Sequence, residues 1–202
     1  SRDNLRQLWF GMAQYQDENG TLPPSSTFNN YGEMKHGWVT FLLPCTSEQL
    51  LYDQVRWDVP WDHTDNFEVF STPLTDLLNP VLGDSLDRDD RGYAVSHYAA
   101  NSRLLRPNGS LSFEDVSDGA SNTILVGEVQ DGLQPWGSTK NCRDPATGIN
   151  RGPHGFGGGG ARGDTHFGFV DGSVRPISDD IDPEVLKALA TPSGDEPVNY
   201  DW

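Results

Sequence analysis

The 202-residue chain carries 30 acidic and 14 basic residues, a formal net charge of −16. A surface that acidic repels phosphate, which argues against nucleic-acid binding and against docking on anionic lipid. With 9 Phe, 6 Tyr and 6 Trp the chain is too aromatic for a disordered acidic tail, its 22 Gly and 14 Pro mark a loop-rich globular domain, and no apolar run of about 18 residues, the length that spans a bilayer, occurs.

The first residues are helical in pattern. Leu5, Leu8, Trp9, Met12 and Ala13 fall at i, i+3, i+4, i+7 and i+8 and form one stripe. Asn19-Gly20 supplies a left-handed stop, and Pro23-Pro24 forbids continuation. The helix has a clear end and no visible N-terminal cap, so the expectation is a helix that continued upstream before processing or truncation. The β-branched and aromatic run Trp38–Leu43 predicts a strand. Thr46-x-x-Gln49 is a capping-box pattern that opens a short helix through Leu50, Leu51 and Val55. Asp62 to Phe70 predicts another short helix, and Leu74 to Leu78, between Pro73 and Pro80, an extended segment.

The second half reads mainly as β. Tyr93–Tyr98 is one predicted strand, and Thr123–Val129, after the turn Ser117-Asp118-Gly119, is the most strand-like run. His166–Val170 and Ser173–Ile177 flank Asp171-Gly172, a strong hairpin signal. Asp182-Pro183-Glu184 combines a cap, a first-turn proline and a first-turn acid, and starts a last helix through Leu186, Leu189 and Ala190. This order predicts one α+β domain over 1–202: a long N-terminal helix (1–19) packed on an antiparallel sheet, with short helices and long loops in 20–202.

Several stretches together resemble one family. They are Asn4–Leu8, Tyr15, Gly20–Pro24, Gly37-Trp38, Leu42–Pro44, Glu48-Gln49, Leu51–Asp53, Pro60–Asp62, Asn66 and Thr72-Pro73. Asp118, Gly119, Ser121, Asn122, Thr123–Leu125, Gly127 and Glu128 continue the pattern, and Phe169, Asp171–Arg175 and Ile181–Pro183 close it. The chain thereby resembles the planctomycete domain of unknown function 1559 family, also described as prepilin-like. The resemblance implies a pilin-like fold and a short basic leader cleaved by a prepilin peptidase. It also implies an apolar helix, now missing, seated in the inner membrane or a filament core. The chain would then be an exported head at the cell envelope, periplasmic or on the surface, with other pilin-like subunits as partners through that helix, as in type II secretion.

The sequence departs from the family pattern in places. The family's C-terminal motif is a His, nine residues, then Asp-Gly; here Ala161 stands at the His position. Asn79-Pro80 replaces a frequent Cys-Pro, and Cys45 stands where an aromatic is more usual.

Other constellations carry chemistry less directly. Asp84, Asp87, Asp89 and Asp90 are a candidate Ca²⁺ cluster, since a hard cation takes six to eight oxygens. The alternative is a solvated acidic loop, and no other cofactor is indicated. His154, Asp164, His166 and Asp171 are close in sequence and have transition-metal ligand chemistry, but fit no standard spacing. Gly155–Gly160 matches G-x-G-x-x-G formally, without the strand before and helix after that a dinucleotide site needs. Glu128, ending an apolar strand, suggests a buried partner for an Arg or a cap for loop amides. Trp57, Trp61 and Trp136, if exposed, offer faces for sugar rings, making a glycan a candidate ligand. Cys45 and Cys142 stand either as one long-range disulfide or as two thiols. There is no G-x-S-x-G and neither Cys lies in a nucleophile motif. The leading expectation is a non-enzymatic, pilin-like envelope subunit. The rival is a membrane-anchored extracytoplasmic domain that binds glycan or calcium.

Overall fold

The computed structural model describes residues 1–83, 86–158 and 163–194. It is a mixed α+β domain organised around α1, Arg2–Asn19. That helix ends where the sequence says it must, on Gly20 at φ 77°, whose N–H closes on the Gln16 carbonyl. Its stripe of Leu5, Leu8 and Met12 is buried.

The main sheet has five strands in the order β7-β4-β5-β8-β9. They are β4 (Tyr98–Asn101), β5 (Ile124–Glu128), β7 (Cys142–Arg143), β8 (Thr165–Phe169) and β9 (Val174–Ile177). The β4–β5, β5–β8 and β8–β9 pairs are antiparallel, while β7 joins β4 in parallel. Two-stranded ribbons flank it: β1 (Ser26–Phe28) with β2 (Met34–Gly37), and β3 (Val95–Ser96) with β6 (Gln134–Pro135).

Strand alternation divides the core into two layers. On one face Tyr98, Ala100, Leu125 and Val126 meet α1. On the other Ala99, Ile124, Phe167 and Phe169 meet Leu186 and Leu189 of α5 (Pro183–Ala190) and Phe156. Leu125 and Val126 share a face because the β5–β8 register shifts between Ile124 and Val126. Two glycines make the close approaches. A Cβ on Gly127 would stand 2.5 Å from the Phe167 ring and 2.8 Å from Phe156. A Cβ on Gly168 would stand 3.1 Å from Val126 beneath α1.

The hairpin at Asp171-Gly172 forms as read, with Gly172 at φ 82° and a Cβ there only 3.0 Å from the Trp9 indole. The α5 cap also forms, Asp182 accepting from the Glu184 N–H at 2.8 Å.

Three local expectations fail. Trp38–Leu43 is not a strand but α2 (Trp38–Leu42) running into a 3-10 turn. Trp38, Val39, Thr40, Leu42 and Leu43 are all buried, and a buried tertiary environment overrides β propensity. Thr46 caps nothing ahead of it. Its hydroxyl donates back to the Leu42 carbonyl at 3.0 Å, and α3 (Gln49–Tyr52) starts without a side-chain cap. Tyr93–Tyr98 splits into β3 and β4, because Ser96 Oγ donates to the Tyr98 carbonyl at 2.7 Å and accepts its N–H at 3.1 Å. Two smaller expectations are refined. Asp62–Phe70 becomes a 3-10 turn (Thr64–Asn66) followed by α4 (Phe67–Phe70), and Leu74–Leu78 carries a 3-10 turn over Thr75–Leu77 between extended ends.

Candidate functional site

The position of Glu128 follows from the sheet. Gly127 faces the Phe156–Phe167 side, so its neighbour turns to the α1 side, where Glu128 is 3% exposed. A carboxylate so placed needs donors. Asn79 Nδ2 donates to Oε1 at 3.0 Å, and the Ser1 hydroxyl also donates to Oε1. The His166 N–H donates to Oε2 at 2.6 Å, and His166 Nδ1 lies 3.2 Å from the same oxygen. Glu128 therefore pins the first turn of α1, the 79–83 loop and β8 together. The expected partners were an Arg or loop amides; the observed donors are two side chains and one strand N–H, that of His166 in β8, and no Arg is among these contacts.

A second ring of residues fixes this arrangement. His97 Nδ1 accepts the Asn79 N–H at 2.8 Å, leaving Nε2 to donate to the Leu86 carbonyl at 2.8 Å. Burial lowers the His97 pKa, consistent with a neutral ring in that tautomer. Tyr98 lies directly across the ladder from Glu128. Its buried hydroxyl sits beside Asn4 and Ser1 without a hydrogen bond of normal geometry. Burial first, then the Glu128 charge, push its pKa well above the ordinary tyrosine value. A Cβ on Gly158 would stand 2.5 Å from Glu128 Oε2, so the described part of the glycine-rich stretch is a lid over the carboxylate. Gly159–Arg162, with Ala161, lie outside the described residues.

The other family-motif residues sit at the opposite end of β5. The Asp118–Asn122 turn meets the hairpin: the Asp171 N–H donates to the Ala120 carbonyl at 3.0 Å and the Val170 N–H to the Thr123 carbonyl at 3.0 Å. Gly119 takes φ 95°, the Asn122 side chain reaches the Asp118 carbonyl at 3.4 Å, and Ser121 belongs to the intervening 3-10 turn. Asp118 Oδ2 accepts the Gly194 N–H at 2.6 Å. Asp171 Oδ1 accepts the N–H and hydroxyl of Ser173, and Trp9 Nε1 donates to the Val170 carbonyl at 2.8 Å. These residues join β5, the hairpin and α1 at one corner.

The acidic loop is engaged locally. Asp84 lies outside the described residues. Asp89 accepts from the N–H groups of Arg91 and Tyr93 at 3.0 and 2.9 Å and pairs with the Arg91 guanidinium at 3.1 Å. Asp87 stands 4.0 Å from Arg88, and Asp90 is exposed. Among the described residues no group of three or more His, Cys, Asp or Glu is arranged to hold a metal ion. His154, Asp164, His166 and Asp171 are not brought together: His166 turns to Glu128 and Asp171 to its own hairpin.

Two of the three tryptophans depart from the exposed-platform expectation. Trp136 is fully buried, its ring centroid 4.5 Å from that of Phe70 at a tilt of 41°, with Nε1 donating to the Thr72 carbonyl. Trp61 is 8% exposed between Phe70 and Tyr93, beneath the Arg91 guanidinium. Trp57 is 37% exposed, but its ring is crowded at 4.8–5.6 Å by His36, Tyr52 and Phe41 at tilted angles. Trp136 and Trp61 present no open face, whereas Trp57 stays partly exposed. Cys45 and Cys142 are free thiols, both raised in pKa by burial.

Sequence reading missed Asn79, His97 and Arg143. Arg143 is 8% exposed and donates to the Asp131 and Gly132 carbonyls at 2.7 and 2.9 Å, as well as to that of Gly155. The departure from Cys-Pro at Asn79 was the one available signal.

A helix laid across an antiparallel-rich sheet and locked to it by a buried glutamate defines an α+β domain of the helix-on-sheet class. The family model described as "Protein of unknown function (DUF1559)" matches residues 1–101 and 83–154, and the chain belongs to that family. The match takes in the Asp118–Glu128 motif and stops short of the Asp171 hairpin. No curated protein and no solved structure matches the chain.

Proposed function

We propose that this chain is the head domain of a non-enzymatic, pilin-like subunit of the cell envelope, carried on a prepilin-type N-terminal segment that mediates assembly with like subunits. The observation that carries the proposal is the place of α1. It packs on β5, β8, β9 and α2, and polar contacts from three residues fix it along its length: Ser1 to Glu128, Trp9 to the Val170 carbonyl, and Gln16 to Glu114 and the Phe113 N–H. A helix held at both ends and in the middle transmits a load on its N-terminus to the sheet, which is what a helical handle requires. Membership of the family, for which the resemblance implies a prepilin leader, supports the same reading. Among the described residues no helix is long and apolar enough to cross a membrane; the proposed anchor is the prepilin-type segment that the family resemblance implies.

The test uses the full-length gene product in its own host, with and without the prepilin peptidase. The expected result is an envelope-associated protein whose leader is removed only when the peptidase is present. Processing that ignores the peptidase would overturn the proposal.

A further inference from the structure

A cleft of about 450 Å³ opens between α1, the end of α2 and the 74–77 turn. That volume lies in the range of small-molecule sites. Its floor includes Leu8, Leu42, Leu74 and Leu77, each at most 7% exposed, beside the polar side chains of Gln7, Thr46 and Thr75. Two carboxylates, Glu48 and Asp76, line it, and no Lys, Arg or His among the described residues does. Neither carboxylate has an ion pair or a side-chain hydrogen bond with a described residue, whereas Asp89, Asp144 and Asp171 elsewhere do. An apolar floor under unpaired negative charge, on a chain of net charge −16, complements one kind of ligand.

We propose that this cleft binds a small organic cation, its ammonium group meeting Glu48 and Asp76 and its apolar body lying on Leu42, Leu74 and Leu77. Calcium fits less well, because the cleft offers two carboxylates and a few hydroxyls to an ion that takes six to eight oxygens. The inference goes beyond the envelope reading and does not depend on it. Cys45, in the cleft wall, is a built-in reporter.

The experiment titrates the purified chain with hexylammonium, with neutral hexanol and with Ca²⁺ alone, following binding by calorimetry and NMR. Alkylation of Cys45 is followed in parallel by peptide mass mapping. Saturable hexylammonium binding is expected, at least about tenfold tighter than hexanol, equivalent to about 1.4 kcal/mol. It should weaken with salt, slow Cys45 alkylation, and fall at least about tenfold in Glu48→Gln/Asp76→Asn. That variant changes only side chains that make no ion pair or hydrogen bond with a described residue, and an unchanged melt shows that it folds. Equal binding of hexanol and hexylammonium, no binding at millimolar concentration, undiminished binding by the folded variant, or Ca²⁺ binding at the cleft tighter than hexylammonium would each overturn the proposal.

Discussion

Glu128 shows what one buried charge does in this molecule. Its oxygens accept from Asn79, from the His166 N–H and from Ser1, and removing the acceptor strands all three donors in a buried site. Glu128→Ala is expected to cost about 3 kcal/mol or more, read as a lower urea midpoint. Asn79→Ala, which removes one charged hydrogen bond, should cost about 2 kcal/mol. An unchanged midpoint in Glu128→Ala would show that the carboxylate is not the pin. His36 provides the pH handle. It is 1% exposed, neither ring nitrogen has a hydrogen bond of normal geometry with a described residue, and burial, outweighing the nearby Val59 and Trp57 backbone, lowers its pKa from 6.5 to about 4. Above pH 6.5 it is neutral in both states. As the pH falls from 6.5 towards 4 the unfolded chain takes the proton first, so stability is lost across that window, by roughly 3 kcal/mol. His97, shifted the same way, adds to the loss. His36→Phe, set among Trp57 and Phe70, should melt with a shallower decline between pH 6.5 and 4; an identical decline would rule His36 out as its source.

At the scale of elements, legibility depends on where the information sits. The Asp171-Gly172 hairpin, the Asp182 cap and the Gly20 stop were readable because the residues that form them are neighbours in sequence. α2 was misread because the burial that makes it a helix comes from distant residues, such as Asn141, whose carbonyl accepts the Trp38 Nε1 hydrogen at 2.7 Å. β7 was missed for the same reason: two residues carry no periodicity, and only pairing with Ala100 and Asn101 makes them a strand. The Glu128 end of the motif was legible as a carboxylate with partners, yet its donors lie 38, 49 and 127 residues away. Close packing within the sheet gives an element-level test. Gly127→Ala places a methyl 2.5 Å from Phe167 and 2.8 Å from Phe156. It should destabilise by about 1–3 kcal/mol by overpacking, seen as a lowered thermal midpoint. A neutral effect would mean that the Phe156 loop yields freely.

For the whole molecule, the two core layers and the central helix form one unit, and the negative charge is spread over the loops around it. Several of those charges are spoken for: Asp89 by Arg91, Asp144 by Arg103 at 2.8 Å, Asp171 by its hairpin. The acidity thus divides into carboxylates that build loops and a smaller set, Glu48 and Asp76 among them, left to face ligand or solvent. In the proposed function this domain is displayed at the envelope on a prepilin-type helix. The most direct measurement is fractionation of the native full-length protein, with mass determination of its mature N-terminus in peptidase-positive and peptidase-negative cells. An envelope-bound protein with a shortened N-terminus that appears only when the peptidase is present is the expected result. An N-terminus of the same mass in both cells would contradict it.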